Sequence, residues 1–381
     1  MSTAIDYIRI GDEPGAPVYE TIITGQMPAD GGITPSVTYG TGQMVYAMES
    51  KRFRIVWNDA VTALNGWTPN TPHGTLRNAE EAWQVLAKKL GYREPAFTFE
   101  DPDGSGGAPR GKLNISTWYS GYWAGGDWDG TGTRSRTNIT PDGLLVDPPT
   151  WVIPHEFTHT FQFVNNRGMP GSWYEPHANY VRERWIEHYE SLYPGGATGL
   201  ATEALRNTHF VLGDGRDLYL RWTPFLYLDT NPDNLPDLGE GTLVKIWQQS
   251  PPGQNPYEIL DTIAPITGKK NVFGYMAQRG VTMNYPNRPI MRNRFSGDRL
   301  VTRSQYTDLE QRSDDPSWWK VPYERAPQQG TWTIHELVVP DPGTDGRQVT
   351  VNFRGLPDSG RGADWRAGFV VTADDGSERY S

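Results

Sequence analysis

Along "RFRIVWND" (52–59) β-branched and aromatic residues run up to an Asn-Asp stop, which predicts a strand. "YETIIT" and "GKLNISTWY" (111–119) carry the same β-like composition. Between the last two the period lengthens. Ala82, Trp83, Leu86 and Leu90 recur at helical spacing, Asn78 stands as N-cap with Glu81 three residues on, and Gly91 follows as a stop. Two more helical segments are expected from Thr150 to Tyr189, separated by "NNRGMPGS", and shorter ones near 242–249, 256–263 and 271–279. After "YERAPQQG" (323–330), "TWTIHELVV", "QVTVNF" and "RAGFVVTA" alternate at period two between Gly, Pro and Asp turns. The pattern as a whole predicts an α+β fold. A Gly/Pro-rich β segment (1–45) precedes a domain of mixed sheet and helices (46–328), and a small β-sandwich-like module (329–381) follows. That module reads as incomplete, with about four strands ending at "SERYS".

Composition narrows the chemistry. The 381 residues include no cysteine, which excludes a disulfide framework, a thiol nucleophile and thiolate-bound metal. A transition-metal site must then draw on His, Asp and Glu. The formal charge of −10 and the lack of a dense Lys/Arg cluster argue against a nucleic-acid partner. No run approaches the roughly 18 apolar residues of a membrane span. The first residues, "MSTAIDYIRIGDEP", lack the charged leader and apolar centre of a signal peptide. Gly and Pro make nearly a fifth of the chain, beside 15 Trp and 19 Tyr. That profile suits a loop-rich extracellular protein with aromatic-lined clefts. Two Gly/Asp loops, "EDPDGSGG" (100–107) and "GGDWDGTGT" (125–133), offer aspartates for Ca2+. Neither matches the twelve-residue calcium loop, and turn chemistry accounts for Asp-Gly equally well.

The densest chemistry lies in "WVIPHEFTHTFQF" (151–163). A helix turns about 100° per residue, so His155 and His159 share a face with Glu156 beside them. This is the H-E-x-x-H arrangement, with two zinc ligands and a general base. Ile153, Phe157, Phe161 and Val164 fall on the opposite side, as the core-facing surface. A bare core helix would have to satisfy two imidazoles and a carboxylate without metal, which is costly. A catalytic zinc needs one more protein ligand. In "GSWYEPHANYVRERW" (171–185) Glu175 heads a polar strip with Asn179 and Glu183, and Asn179 is placed to orient a bound imidazole. Two readings compete with Glu175 as ligand. It can close a capping box with Ser172, or His177, about 160° away on the same helix, can be the ligand instead.

With these residues in view, "HEFTH" followed by a helix-borne glutamate resembles the gluzincins, the thermolysin-like zinc hydrolases. The fifteen-residue spacer from His159 to Glu175 is shorter than in thermolysin-type enzymes. It is more similar to the enhancin-like glycopeptidases, which often carry Gln where Gln162 stands. The strings "GKLNIS", "HEFTHTFQ", "WYEPHANY" and "GADWRAGFVVTADDGSERYS" resemble an uncharacterised family of secreted bacterial and fungal proteins, over roughly residues 50–381. The resemblance implies a gluzincin-like catalytic domain followed by a β-rich module, and no settled activity.

The expected function is a secreted zinc-dependent metallopeptidase or glycopeptidase. Glu156 would serve as base to a zinc-activated water, and Tyr219 or His209 from "NTHFVLGDGRDLYLRW" would steady the oxyanion. Peptide, glycopeptide or polysaccharide is the expected partner. Two other classes stay open: a zinc-dependent glycosidase on the same site, and a binding module with a vestigial metal site. An intact Glu156 speaks against the latter. His73, His188 and His335 read as structural or exposed.

Overall fold

The strand-like runs condense into one mixed sheet. A computed structural model describes residues 6–9, 18–24, 45–50, 52–95, 113–117, 124–128, 135–145, 150–192, 207–212, 214–216, 218–219, 221–289, 306–338, 349–355, 364–373 and 377–381. Its strands are Asp6–Arg9 (β1), Val18–Thr24 (β2), Val45–Glu49 (β3), Phe53–Asn58 (β4), Leu113–Ser116 (β5), Ala124–Trp128 (β6) and Ser135–Ile139 (β7). They lie in the order β1-β2-β3-β4-β5-β7-β6. The first four pair antiparallel, β4, β5 and β7 run parallel, and β6 closes the edge antiparallel to β7. With the helices below, this is the expected α+β class. The chain divides into two compact units, one of Met1–Met169 with His177–Gly199, the other of Pro170–Pro176 with Leu200–Ser381. Of the two loops considered for calcium, 100–107 lies outside the described residues. Residues 125–128 of the other belong to β6, and 129–133 lie outside.

In the first unit the short helix Asp59–Thr62 (α1) leads to Asn70–Trp83 (α2), which runs on as one π-helical turn, Gln84–Lys89. The helix begins two turns ahead of Asn78, so Asn78 is not its cap. Pro72 is accommodated because a proline in the first turn forfeits no helical hydrogen bond. Asn78 is instead buried, and its Nδ2 donates to Thr150 O at 2.6 Å. Removing a hydrogen-bond partner from a buried carbonyl costs about 1–3 kcal/mol. Asn78→Ala should therefore lower unfolding free energy by about that much in a denaturant titration. The chain ends this helical run at Gly91, whose φ of +78° suits a residue without a side chain.

Pro141–Leu145 (α3) and Val152–Asn165 (α4) follow. Thr150 Oγ1 accepts from Val152 N at 3.2 Å and donates to Gly143 O at 2.7 Å, fixing the start of α4. The inward face is the one the periodicity marked. Ile153, Phe157 and Phe161 are buried, with Phe157 4.7 Å from Phe53 and Phe161 5.2 Å from Trp83 between ring centroids. Edge-to-face rings from a strand and two helices bury a large apolar area in this cluster. Behind it, buried Glu80 accepts from Ser50 Oγ (2.7 Å), Arg52 N (2.8 Å) and Arg52 Nη1 (2.6 Å), tying the β3–β4 turn to α2. Tyr174–Leu192 (α5) comes next, after a 3-10 turn at Gly171–Trp173. No helix among the described residues is long and apolar enough to cross a membrane.

The second unit is built from Thr223–Thr230 (α6), Thr242–Gln249 (α7), Leu260–Ile263 (α8) and Lys269–Thr282 (α9), with a two-residue ribbon of Glu310–Gln311 (β8) and Trp319–Lys320 (β9). Among the described residues near the end of the chain, the strands expected of a β-sandwich amount to one short pair. Val370–Thr372 (β10) pairs antiparallel with Glu378–Tyr380 (β11), and residues 331–338 and 349–355 make no strand. Period two favours a strand only where one face is covered, and Val349, Val351 and Phe353 stay about half exposed. What anchors this segment is polar. Glu378 accepts from Asn284 Nδ2 at 2.7 Å and pairs with Arg288 at 2.7 Å, while Arg279 lies 4.1 Å over the Tyr380 ring.

Candidate metal centre

The face of α4 turned from the aromatic core carries His155, Glu156 and His159, all buried. Glu175 sits in the first turn of α5. The two residues ahead of it are held fast: Trp173 packs 5.1 Å from Phe225 and 4.9 Å from Tyr257, and Tyr174 lies 5.7 Å from Trp247. His155, His159 and Glu175 each offer one ligand atom, and these atoms lie within 4.8 Å of one another. The three form a group that can hold a metal ion. The sequence named the same three.

Hydrogen bonding decides which ring atoms are presented. Asn179 Oδ1 can only accept, so His155 donates from Nδ1, at 2.7 Å. His159 Nδ1 donates to Gln162 Oε1, also at 2.7 Å. With the proton on Nδ1, each imidazole carries its lone pair on Nε2, the atom a metal takes up. Asn179, one helical turn beyond Glu175, is thus in contact with a candidate ligand. Glu156 Oε2 lies 3.9 Å from His159 Nε2, beside the donors rather than within the group.

His177, the rival ligand, is not among the three converging residues. It is fully buried, with Nδ1 2.9 Å from Gln162 Nε2 and Nε2 2.6 Å from Tyr92 Oη. Both ring nitrogens are engaged, and burial followed by the neighbouring His159 holds its pKa down to about 3. A helix cannot aim Glu175 and a residue about 160° around at one point. Glu183 also departs from a simple polar strip: it is buried, accepting from Arg182 Nη2 at 2.8 Å.

The two oxyanion candidates belong to the second unit. His209 is buried, and its backbone carbonyl accepts from Gln328 N at 3.0 Å and from Thr331 Oγ1 at 3.1 Å. Burial, then the charges of Arg325, Arg221 and Arg216, lower its pKa to about 4, so the ring is neutral near pH 7. Tyr219 is half exposed. Two further histidines have structural partners: His188 Nε2 meets Glu81 Oε2 at 2.7 Å, and His335 bonds Thr307 O and Thr333 Oγ1. Gln162 and Tyr92 carry contacts that the motif did not assign. Gln162 had a usable signal, three residues beyond a ligand on one helix face. Tyr92 had none, since 85 positions separate it from His177.

Residues 35–381 match the model of a family of unknown function, DUF6055. No curated protein and no solved structure matches the chain.

Proposed function

The chain belongs to DUF6055, and we propose that it is a zinc-dependent hydrolase acting outside the cell on amide bonds, with a peptide or glycopeptide as substrate. One observation supports this most: two imidazoles whose Nδ1 atoms are already bonded converge with a carboxylate, and a further carboxylate stands beside them. Two His and one Glu without any thiolate suit zinc best among common cations. When bound, zinc supplies Lewis acidity and acidifies a coordinated water.

The rest is the work of this chain's own side chains. Glu156 takes the proton of the attacking water as its oxygen bonds to the carbonyl carbon. The same carboxylic acid returns that proton to nitrogen as the C–N bond breaks. Asn179 and Gln162 hold the two imidazoles in one tautomer throughout. Tyr219, half exposed, is the leading donor to the developing oxyanion, and buried His209 the second.

A glycan-bearing substrate is favoured by the second unit. An open cavity of about 290 Å³ there is lined by Tyr306, Trp319, Asp308 and Glu336, and Trp319 is 57% exposed. Flat aromatic faces beside carboxylates suit stacking and hydrogen bonding to sugar rings. The glycosidase alternative would need a carboxylic acid placed against a glycosidic oxygen, and no residue is assigned to that role.

The test has two parts. Protein purified without added metal should carry close to one zinc per chain by elemental analysis. It should then cleave casein or mucin-type glycopeptides, with activity lost to chelator and restored by zinc. Metal-free protein would remove the enzyme reading. Release of sugars from plain polysaccharide, with casein and glycopeptide intact, would transfer the chemistry to glycosidic bonds.

A further inference from the structure

Behind the proposed ligands, four buried or near-buried side chains form an unbroken line: His159, Gln162, His177 and Tyr92. With the Gln162 amide turned so that Oε1 faces His159 and Nε2 faces His177, the direction of every bond in it follows from donor chemistry. Gln162 Oε1 can only accept and Nε2 can only donate. His159 Nδ1 thus gives its proton to Gln162, and Gln162 gives one to His177 Nδ1. A neutral His177 must then carry its proton on Nε2, where it donates to Tyr92 Oη at 2.6 Å. Reversing any one link would set two protons or two lone pairs face to face.

The far end of the line is anchored to the same helix as the near end. Asn165, in the last turn of α4, accepts from Arg93 N at 3.0 Å and donates to Arg93 O at 3.0 Å. Its Nδ2 also donates to Phe161 O at 2.8 Å. Gly91 turns the chain immediately ahead, so Tyr92 is delivered to His177 by a backbone pinned on both sides.

We propose that His177 and Gln162 are positioning residues: together with Tyr92 they lock His159 as the Nδ1–H tautomer and so present Nε2 as a metal ligand. His177 occupies a ligand-like place in the sequence yet acts one residue removed from the ion. The proposal rests on the metal-site reading above but has a test that does not.

Long-range ¹H–¹⁵N correlation spectra of the full chain, without metal, report the tautomer of each histidine. The expected result is Nδ1–H for His159 and Nε2–H for His177; the opposite assignment at either ring overturns the proposal. Gln162→Glu should invert His177, because a carboxylate has no proton to offer and draws Nδ1–H instead. An unchanged His177 tautomer in that variant counts against the relay. For metal, Gln162→Leu should weaken zinc binding roughly 10–100-fold by competition titration, the range expected when an outer partner of a ligand is lost. Gln162→Glu, which still accepts from His159, should restore most of it. Equal zinc affinity in wild type and Gln162→Leu overturns the relay while leaving the metal site standing. A wild type that binds no zinc at all removes the metal site, and the tautomers then decide the relay alone.

Discussion

Turnover of Glu156→Gln is expected to fall by roughly 10²–10⁴-fold, the usual share of a general acid–base group, while its zinc content equals that of the wild type. The amide keeps the shape of the carboxylate, so the buried face of α4 is disturbed little. What it loses is basicity. Glu156 stands 3.9 Å from His159 Nε2 but outside the trio of donor atoms, so metal retention and catalysis should separate cleanly. The loss should fall on kcat, because proton transfer belongs to the transition state rather than to substrate binding. Survival of activity would move the base elsewhere. Loss of zinc along with activity would mean that Glu156 is itself a ligand.

That separation could be forecast because H-E-x-x-H encodes its own geometry. Helical periodicity fixes which of His155, Glu156 and His159 share a direction, and the apolar residues on the other side fix which face is buried. The same reasoning reached Asn179, one turn beyond Glu175. It failed where a residue's setting depends on distant chain. Asn78 looks like a cap because caps and buried amides use the same side chain, and only Thr150 O, 72 positions away, tells them apart. The alternation in 349–353 looks like a strand because period two records a propensity, whereas a strand needs a partner and a covered face. The parallel pairing of β4 with β5 joins residues some sixty positions apart, which no local pattern reports. His177 is the rival donor that helix geometry already set about 160° from Glu175, and what the sequence could not name is its bond to Tyr92, a residue without any motif.

Glu175→Ala and His177→Ala should therefore fail in opposite ways. Removing Glu175 takes away one of three donors, and zinc affinity should drop well beyond the roughly 10–100-fold that an outer partner is worth. Metal that binds only the folded chain stabilises it by about 2.7 kcal/mol at a free concentration of 100 Kd, so wild type should melt markedly later when zinc is added. Glu175→Ala should lose that response and keep the wild-type melting temperature in chelator, because Glu175 lies partly exposed beside a segment held by Trp173 and Tyr174. His177→Ala should show the reverse. Its ring is fully buried between Gln162 and Tyr92, and truncation takes from Gln162 Nε2 and Tyr92 Oη the bond each makes to it, beside a new cavity. A cost of about 1–3 kcal/mol from each unsatisfied group is expected even without metal, yet the melt should still rise on adding zinc. If the zinc response vanishes in His177→Ala and persists in Glu175→Ala, the third donor is the imidazole, and the line from His159 to Tyr92 must be redrawn around it.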